Sequence, residues 1–430
     1  MFKKIKNEIE HFQSQTRNFR ILIFTNLVYA LVLPVIDIFV AAYIMRNSND
    51  TSKVVIYQLA IYTGIPLTFI LNGFLLKHFN IRKLYSAGMM LSGVAMIVMM
   101  SFEILDLTGI GIAGIIMGMS FGLYWSNRDY LALAITNDKN RNYYYGLETF
   151  IYTIIAIIIP ATIGWFIQSK TGDAEKHDAY IIITGIVFLI TILASVVCFR
   201  GKFENPAQKQ YIFFKFHPLW NKLLSLATFK GLAQGFLVTA PAMLIFKLLG
   251  EEGALGNAQS IGAVLAAIII YLIGRFSKPS DRIKIFSVGL ILFALGACLN
   301  GFLYNQTGVI IFLLLLLIAK PLMDLAYFPI QLRVIDIVSH IEKRGEFTYI
   351  LNHEAGLYVG RLFGAGTFLA LYYSVSEDFA LRYAVGIIAL LQLCSIYISK
   401  KIIKEGNKLS PEVPEEIEMK VLEDVATKLV

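Results

Sequence analysis

The chain has 430 residues, of which 57% are hydrophobic and only 16% are charged, and its mean hydropathy is +0.65. Soluble proteins average about 25% charged residues, so this composition excludes an ordinary soluble enzyme and indicates an integral membrane protein. The formal charge of +8 could suggest a nucleic-acid partner, but Lys and Arg also collect in the cytoplasmic loops of membrane proteins. We therefore expect the lipid bilayer, and no nucleic acid, as a partner.

The apolar residues are gathered into runs of about twenty, the length that crosses a bilayer. A basic N-terminal segment precedes the first run, and it could form a short helix on the membrane surface or remain a solvated tail. The pattern predicts an all-α membrane protein with twelve transmembrane helices, at 20–45, 54–76, 84–105, 108–135, 143–168, 179–200, 223–249, 253–274, 284–304, 308–337, 346–373 and 379–400.

The distribution of basic residues predicts the orientation. With both termini inside, the inside segments hold about 27 Lys and Arg residues and the outside loops hold about six. Because cytoplasmic loops carry the excess of positive charge, we expect a multi-pass protein of the cell membrane with both termini cytoplasmic. Three cysteines lie in apolar runs without paired spacing, which indicates neither a disulfide framework nor a metal site.

The twelve runs form two halves of similar layout. Pro34 in span 1 corresponds to Pro241 in span 7, and Glu148 corresponds to Glu354, at an offset near 206 residues. Parallel six-span halves are the architecture of one large class of transporters. The predicted organisation is an N-terminal segment, a six-helix bundle, a cytoplasmic linker, a second six-helix bundle and a cytoplasmic tail, at 1–19, 20–200, 201–222, 223–400 and 401–430.

The loop between spans 2 and 3 carries a family resemblance. It reads GFLLKHFNIRK from Gly73 to Lys83 and resembles the G-x-L-x-D-R-x-G-R-R/K pattern of the major facilitator superfamily (MFS). Lys77 stands where that pattern has Asp, and Asn80 where it has the second Gly, so the charge relay of the family lacks its acidic member. The resemblance covers residues 20–400, is nearest to a bacterial branch that indicates no substrate, and implies the MFS fold and alternating access.

The resemblance also implies that spans 1, 4, 7 and 10 line a central cavity. Asp37 lies one turn past Pro34 in span 1, where it could cap backbone freed by the proline or bind substrate or a proton, since ionisable groups within membrane spans are usually functional. Lys320 and Asp324 in span 10 are four residues apart on one helical face, so they can pair with each other. Substrate could break that pair, or the pair could simply neutralise itself.

Each half contains a turn between two spans that has charged residues on both sides, and we call these two turns the elbows. Arg128 and Asp129 precede the turn between spans 4 and 5, and Glu148 follows it. Arg128 with Glu148, and Arg333 with Glu354, are predicted to pair, either as structural links or as gates. The full set of predicted substrate-binding or proton-binding residues is Asp37, Arg128, Asp129, Glu148, Lys320, Asp324, Arg333, Asp336, Glu354 and Arg361.

Three glycines at four-residue spacing around Arg361, together with Gly366, predict close helix packing in span 11. The arginine needs a carboxylate, and both Glu354 and Asp324 are candidates. His353, beside Glu354, could shuttle protons or be structurally inert.

The function predicted from these features is secondary active transport of a small polar or charged solute by a monomer, with protons as the coupling ion. The sequence contains no phosphate-binding loop, metal-ligand cluster or nucleophile–base arrangement at a recognisable spacing. This argues against an ATP-driven pump or an enzyme, and no cofactor is predicted. An efflux pump or lipid flippase is the alternative, and a non-transporting receptor is the alternative from another class.

Overall fold

The computed structural model describes residues 2–102, 105–136, 140–205, 213–249, 252–276 and 281–409, and every regular element in these ranges is a helix. The chain divides into two compact units, Met1–Lys209 and Gln210–Val430. Ten helical stretches in the described ranges are long and apolar enough to cross a membrane. They correspond to ten of the twelve predicted spans. The helix of span 8 has a shorter apolar stretch, Gly253–Ile269, and the helix of span 11 is not among the ten.

The first unit begins with a short helix and then contains the helices of the first six predicted spans. Their bounds are α1 Phe2–Ser14, α2 Arg17–Ala30, a π-helical turn Val35–Phe39, α3 Val40–Ser48, α4 Thr51–Leu75, α5 Ile81–Met100, α6 Leu107–Ile135, α7 Arg141–Gln168 and α8 Asp173–Cys198.

The second unit contains the helices of the other six predicted spans. Their bounds are α9 Pro218–Leu237, α10 Ala240–Leu248, α11 Glu252–Phe276, α12 Arg282–Leu303, α13 Gln306–Glu342, α14 Glu346–Ser374, α15 Glu377–Gln392 and α16 Cys394–Leu409. The last helix extends to Leu409, where Glu405 pairs with Lys222, so the tail predicted from residue 401 begins as structured helix. Residues 410–430 lie outside the described ranges.

The first predicted span of each unit, span 1 and span 7, is broken near a proline. In the first unit α2 ends at Ala30, and the chain passes Pro34 into the π-helical turn before α3. In the second unit α9 ends at Leu237 and α10 begins at Ala240, with Pro241 in its first turn. Proline has no N–H to donate within a helix and its ring clashes with the preceding turn, so each span is interrupted near its middle.

Helices α9 and α14 pack with their backbones in direct contact. A Cβ atom on Gly360 would lie 1.9 Å from the Thr228 carbonyl oxygen, and one on Gly231 would lie 2.1 Å from that of Leu357. Gly356 and Gly364 also face α9, whereas Gly366 has open space beside it. The predicted close packing is therefore confirmed for three of the four glycines. It brings the side chains of α9 within reach of Arg361 on α14.

Candidate functional site

Asp37 lies on the π-helical turn of the first broken span and is exposed. The span runs from Arg17 to Ser48, so Asp37 is 11 residues from the nearer end, about 16 Å at the rise of a helix. It lies within electrostatic range of the buried tyrosines Tyr29 and Tyr57. Charged groups at this depth pair with other groups or face a water-filled cavity, and the exposure of Asp37 supports the prediction that it lines such a cavity.

The predicted pair of the first elbow is present. Arg128 on α6 donates to both carboxylate oxygens of Glu148 on α7, and its Nη1 lies 2.6 Å from the carboxylate of Asp129. The Arg128 side chain is 13% exposed and that of Glu148 only 4%. Two charges so far from water can be held only by direct pairing and further hydrogen bonds.

Those further hydrogen bonds come from residues that the sequence analysis missed. Asn26 on α2 donates to Glu148 at 2.7 Å and to the Tyr144 hydroxyl at 2.9 Å, and it accepts from the Tyr85 hydroxyl. Asn26 is 1% exposed. A polar amide inside an apolar run was the signal available in the sequence, because a buried amide requires partners. Three helices, α2, α6 and α7, are thereby joined through one carboxylate.

The second elbow is built differently. Glu354 pairs with Arg361, two turns further along the same helix, and Arg361 also donates to Gln234 on α9 at 3.1 Å. The predicted pairing of Arg333 with Glu354 is therefore wrong, and of the two carboxylates considered for Arg361 the partner is Glu354. Arg333 is half-buried and Asp336 is exposed, both on α13. The halves thus place corresponding glutamates in different ion pairs.

The partner of Asp324 also differs from the prediction. Asp324 pairs with Lys230 on α9 at 3.0 Å, so the expected intrahelical pair with Lys320 is not formed, and Lys320 is exposed. The Lys230 Nζ atom also lies 4.0 Å from the ring centroid of Tyr327 and 3.8 Å from that of Phe328. Close helix packing, which spacing along one helix does not reveal, brings Lys230 to α13.

His353 is buried and bonded within the second unit. Its Nε2 atom lies 2.6 Å from the Tyr327 hydroxyl, and the side chain is 7% exposed. Tyr327 therefore joins His353 of α14 to the ring surface under Lys230. This contact gives the histidine a structural role in holding α13 against α14, and proton transfer by His353 stays a prediction.

The loop between α4 and α5 is held by Asn205, which follows α8. The Asn205 amide nitrogen donates to the carbonyls of Leu76 and Phe79, each at 2.8 Å, and its amide oxygen accepts from the Ile81 N–H at 2.7 Å. Asn80 caps the start of α5, which explains an asparagine where the MFS pattern has glycine. Three neutral hydrogen bonds therefore hold the loop whose usual acidic residue is replaced by Lys77.

The described part of the chain contains no group of three His, Cys, Asp or Glu residues placed to hold a metal ion. The groups in the two units that could bind a solute are the ion pairs and the exposed carboxylates. Two features of the arrangement are suited to solute binding, namely Asp37 in the first unit and the Lys230–Asp324 pair in the second.

One family model and two relatives match the chain. The model of the Major Facilitator Superfamily matches residues 22–365. An uncharacterized protein of Bacillus subtilis (strain 168), YqgE, is 24% identical over 408 residues, which is 93% of each chain. An uncharacterized protein from the sodM 3′ region of Geobacillus stearothermophilus is 25% identical over 159 residues, covering 37% of this chain and 74% of its own length.

Solved structures of transporters share the fold. The nucleoside transporter NupG superposes with a TM-score of 0.67 at 10% identity, covering 90% of this chain and all of its own. A bacterial metal transporter gives 0.63 at 13% identity, covering 90% and 99%. The E. coli fucose:proton symporter FucP gives 0.57 at 13% identity, covering 89% and 98%. At these identities the likeness shows the fold alone.

Proposed function

Because the chain belongs to the Major Facilitator Superfamily, we propose that it is a secondary active transporter that moves a small polar or charged solute by alternating access. We assign it twelve spans in two parallel six-helix bundles, with the termini on the cytoplasmic side of the cell membrane, and we take the monomer as the working unit. Protons are the proposed coupling ion, an assignment supported by the shared fold of a proton symporter.

The observation that carries this proposal is the exposed Asp37 on the π-helical turn of span 1. A broken helix at membrane depth is tolerated where it lines a water-filled cavity, and π-helical turns inside α-helices are frequent at functional sites. A carboxylate there can take up a proton on one side of the membrane and release it on the other. The remaining predicted residues are proposed to act in solute binding or gating.

The experiment uses the full chain in vesicles that contain a pH-sensitive dye and carry an imposed pH gradient. Addition of a transported solute should change the internal pH, and the Asp37→Asn variant should lose gradient-driven accumulation while still exchanging solute across the membrane. The Asp173→Asn variant is the control, because that side chain is 95% exposed at the start of α8 and its ion pair with Arg46 lies at the end of span 1, nine residues from Asp37. Full gradient-driven uptake by Asp37→Asn would remove Asp37 as the coupling group.

The same experiment separates the competing functions. Outward movement of hydrophobic drugs or lipids, without movement of polar solutes, would favour the efflux pump or flippase. Binding of a solute without any flux would favour the non-transporting receptor. The several deep charges of both signs, in both units, favour a polar or ionic solute over a neutral hydrophobic one.

A further inference from the structure

The Lys230–Asp324 pair lies at the middle of the long helix α13, far from both of its ends. Asp324 is 18 residues from either end of α13, which places it about 27 Å from each helix end, whereas the hydrocarbon core is about 30 Å thick in all. The Asp324 side chain is nevertheless 37% exposed. Because a charge exposed at this depth must face water and not lipid, solutes dissolved in that water can reach the pair.

The pair is asymmetric in how its members are held. The Lys230 side chain is only 14% exposed, and the rings of Tyr327 and Phe328 lie against its ammonium group. Two aromatic faces stabilise a cation and keep Lys230 in one position. Asp324 is more accessible, so it is the member that another anion can replace.

The surrounding charges favour an anion over a cation. Lys320 and Arg361 both lie within electrostatic range of Lys230, so three basic groups are gathered around two carboxylates, Asp324 and Glu354. Glu354 is already bonded to Arg361. Arg361 is 9% exposed and also held by Gln234, whereas the partner of Lys230 is the more accessible Asp324, which a solute anion can replace.

We propose that the solute is a small organic carboxylate, which binds Lys230 in the position that Asp324 occupies in its absence. This inference rests on the proposed transport function in one respect: a transporter has a water-filled pathway, and that pathway gives solutes access to the pair. The structure already places a carboxylate, that of Asp324, at 3.0 Å from the Lys230 ammonium, which lies against two rings, so the position fits the group. Phe328 is 50% exposed and offers an apolar surface to the body of the solute.

The test measures the melting temperature of the purified full chain with a panel of small monocarboxylates, from acetate to benzoate, each beside its primary amide. Some carboxylates should raise the melting temperature of the wild type, and their amides should not. Lys230→Gln should weaken carboxylate binding on the order of tenfold or more, because the charge partner is lost. Lys284→Gln is the control in the same unit, because that side chain is 84% exposed at the start of α12, and it should retain binding.

Asp324→Asn supplies the second arm of the test and does not require Lys230 to be altered. This variant leaves Lys230 without its carboxylate, so it should melt at a lower temperature than the wild type, and the same carboxylates should restore stability with a larger shift. The proposal is overturned if amines or amides stabilise in place of carboxylates, if a folded Lys230→Gln variant keeps the shift, or if no carboxylate stabilises Asp324→Asn.

Flux measurements keep this inference separate from the proposed function. Transport in vesicles of amines or neutral solutes, with no carboxylate carried, would reject the carboxylate site and leave transport standing. Carboxylate binding that depends on Lys230 without flux would support the site and reject transport.

Discussion

Lys230 on α9 and Asp324 on α13 form an ion pair at 3.0 Å, although 94 residues separate them along the chain. The contact links the broken helix pair of the second unit to its longest helix. Any movement of α9 relative to α13 must lengthen or exchange this pair, so a solute that replaces Asp324 would act directly on the relative position of these helices.

We expect Glu148→Gln to destabilise the protein by about 3–5 kcal/mol, because it removes the buried carboxylate that pairs with the buried Arg128 and leaves only the partly exposed Asp129. Thermal unfolding of purified protein measures the loss. Asp129→Asn is the matched control: Asp129 also contacts Arg128 but is 36% exposed, and exposed pairs contribute about 0–1 kcal/mol. Equal losses in the two variants would contradict the central role of Glu148.

In the second unit, removing one partner of the Glu354–Arg361 pair should cost more than removing both. Arg361→Leu leaves Glu354 alone at 15% exposure, whereas the double variant with Glu354→Leu leaves no charge to desolvate. Replacing both members of a buried pair by apolar residues is often neutral. Unfolding temperatures of the single and double variants test this, and a double variant less stable than both single variants would show that the pair is itself strongly stabilising.

Gly360→Ala should destabilise the contact of α9 with α14 severely, since the added methyl group would lie 1.9 Å from the Thr228 carbonyl oxygen. Overpacking of this kind costs about 1–3 kcal/mol or more. Gly366→Ala adds the same methyl group on the same helix, where nothing lies within 4 Å, and it should be tolerated. Comparable melting temperatures for the two variants would show that the helices can separate without cost.

Asn205→Ala should free the loop between α4 and α5. It removes three hydrogen bonds to that loop, each worth about 1 kcal/mol, from a partly exposed site. We expect faster amide hydrogen exchange in peptides covering 74–83 with a small change in melting temperature. Lys77→Ala is the control, because the exposed Lys77 side chain takes no part in these three bonds. Unchanged exchange in the Asn205 variant would refute the assignment.

The sequence was sufficient to predict the helical membrane fold and the positions of the apolar helices, and Pro34 and Pro241 mark the breaks that the structure shows in spans 1 and 7. Each of these depends on local composition or on proline, whose effect on a helix does not need a tertiary partner. It also predicted the Arg128–Glu148 pair, because a short turn brings the end of one helix beside the start of the next.

The sequence did not predict which charged side chains pair with each other in the second unit. Spacing along one helix favoured Lys320 for Asp324, and symmetry with the first elbow favoured Arg333 for Glu354, yet both carboxylates pair elsewhere. The tertiary structure decided these pairs, because glycine-mediated contact between α9 and α14 moves Lys230 and Gln234 into the cluster. The sequence by itself predicted most of the charges within the apolar spans, though not Lys230, and only the packing of distant helices determined which charge each one meets.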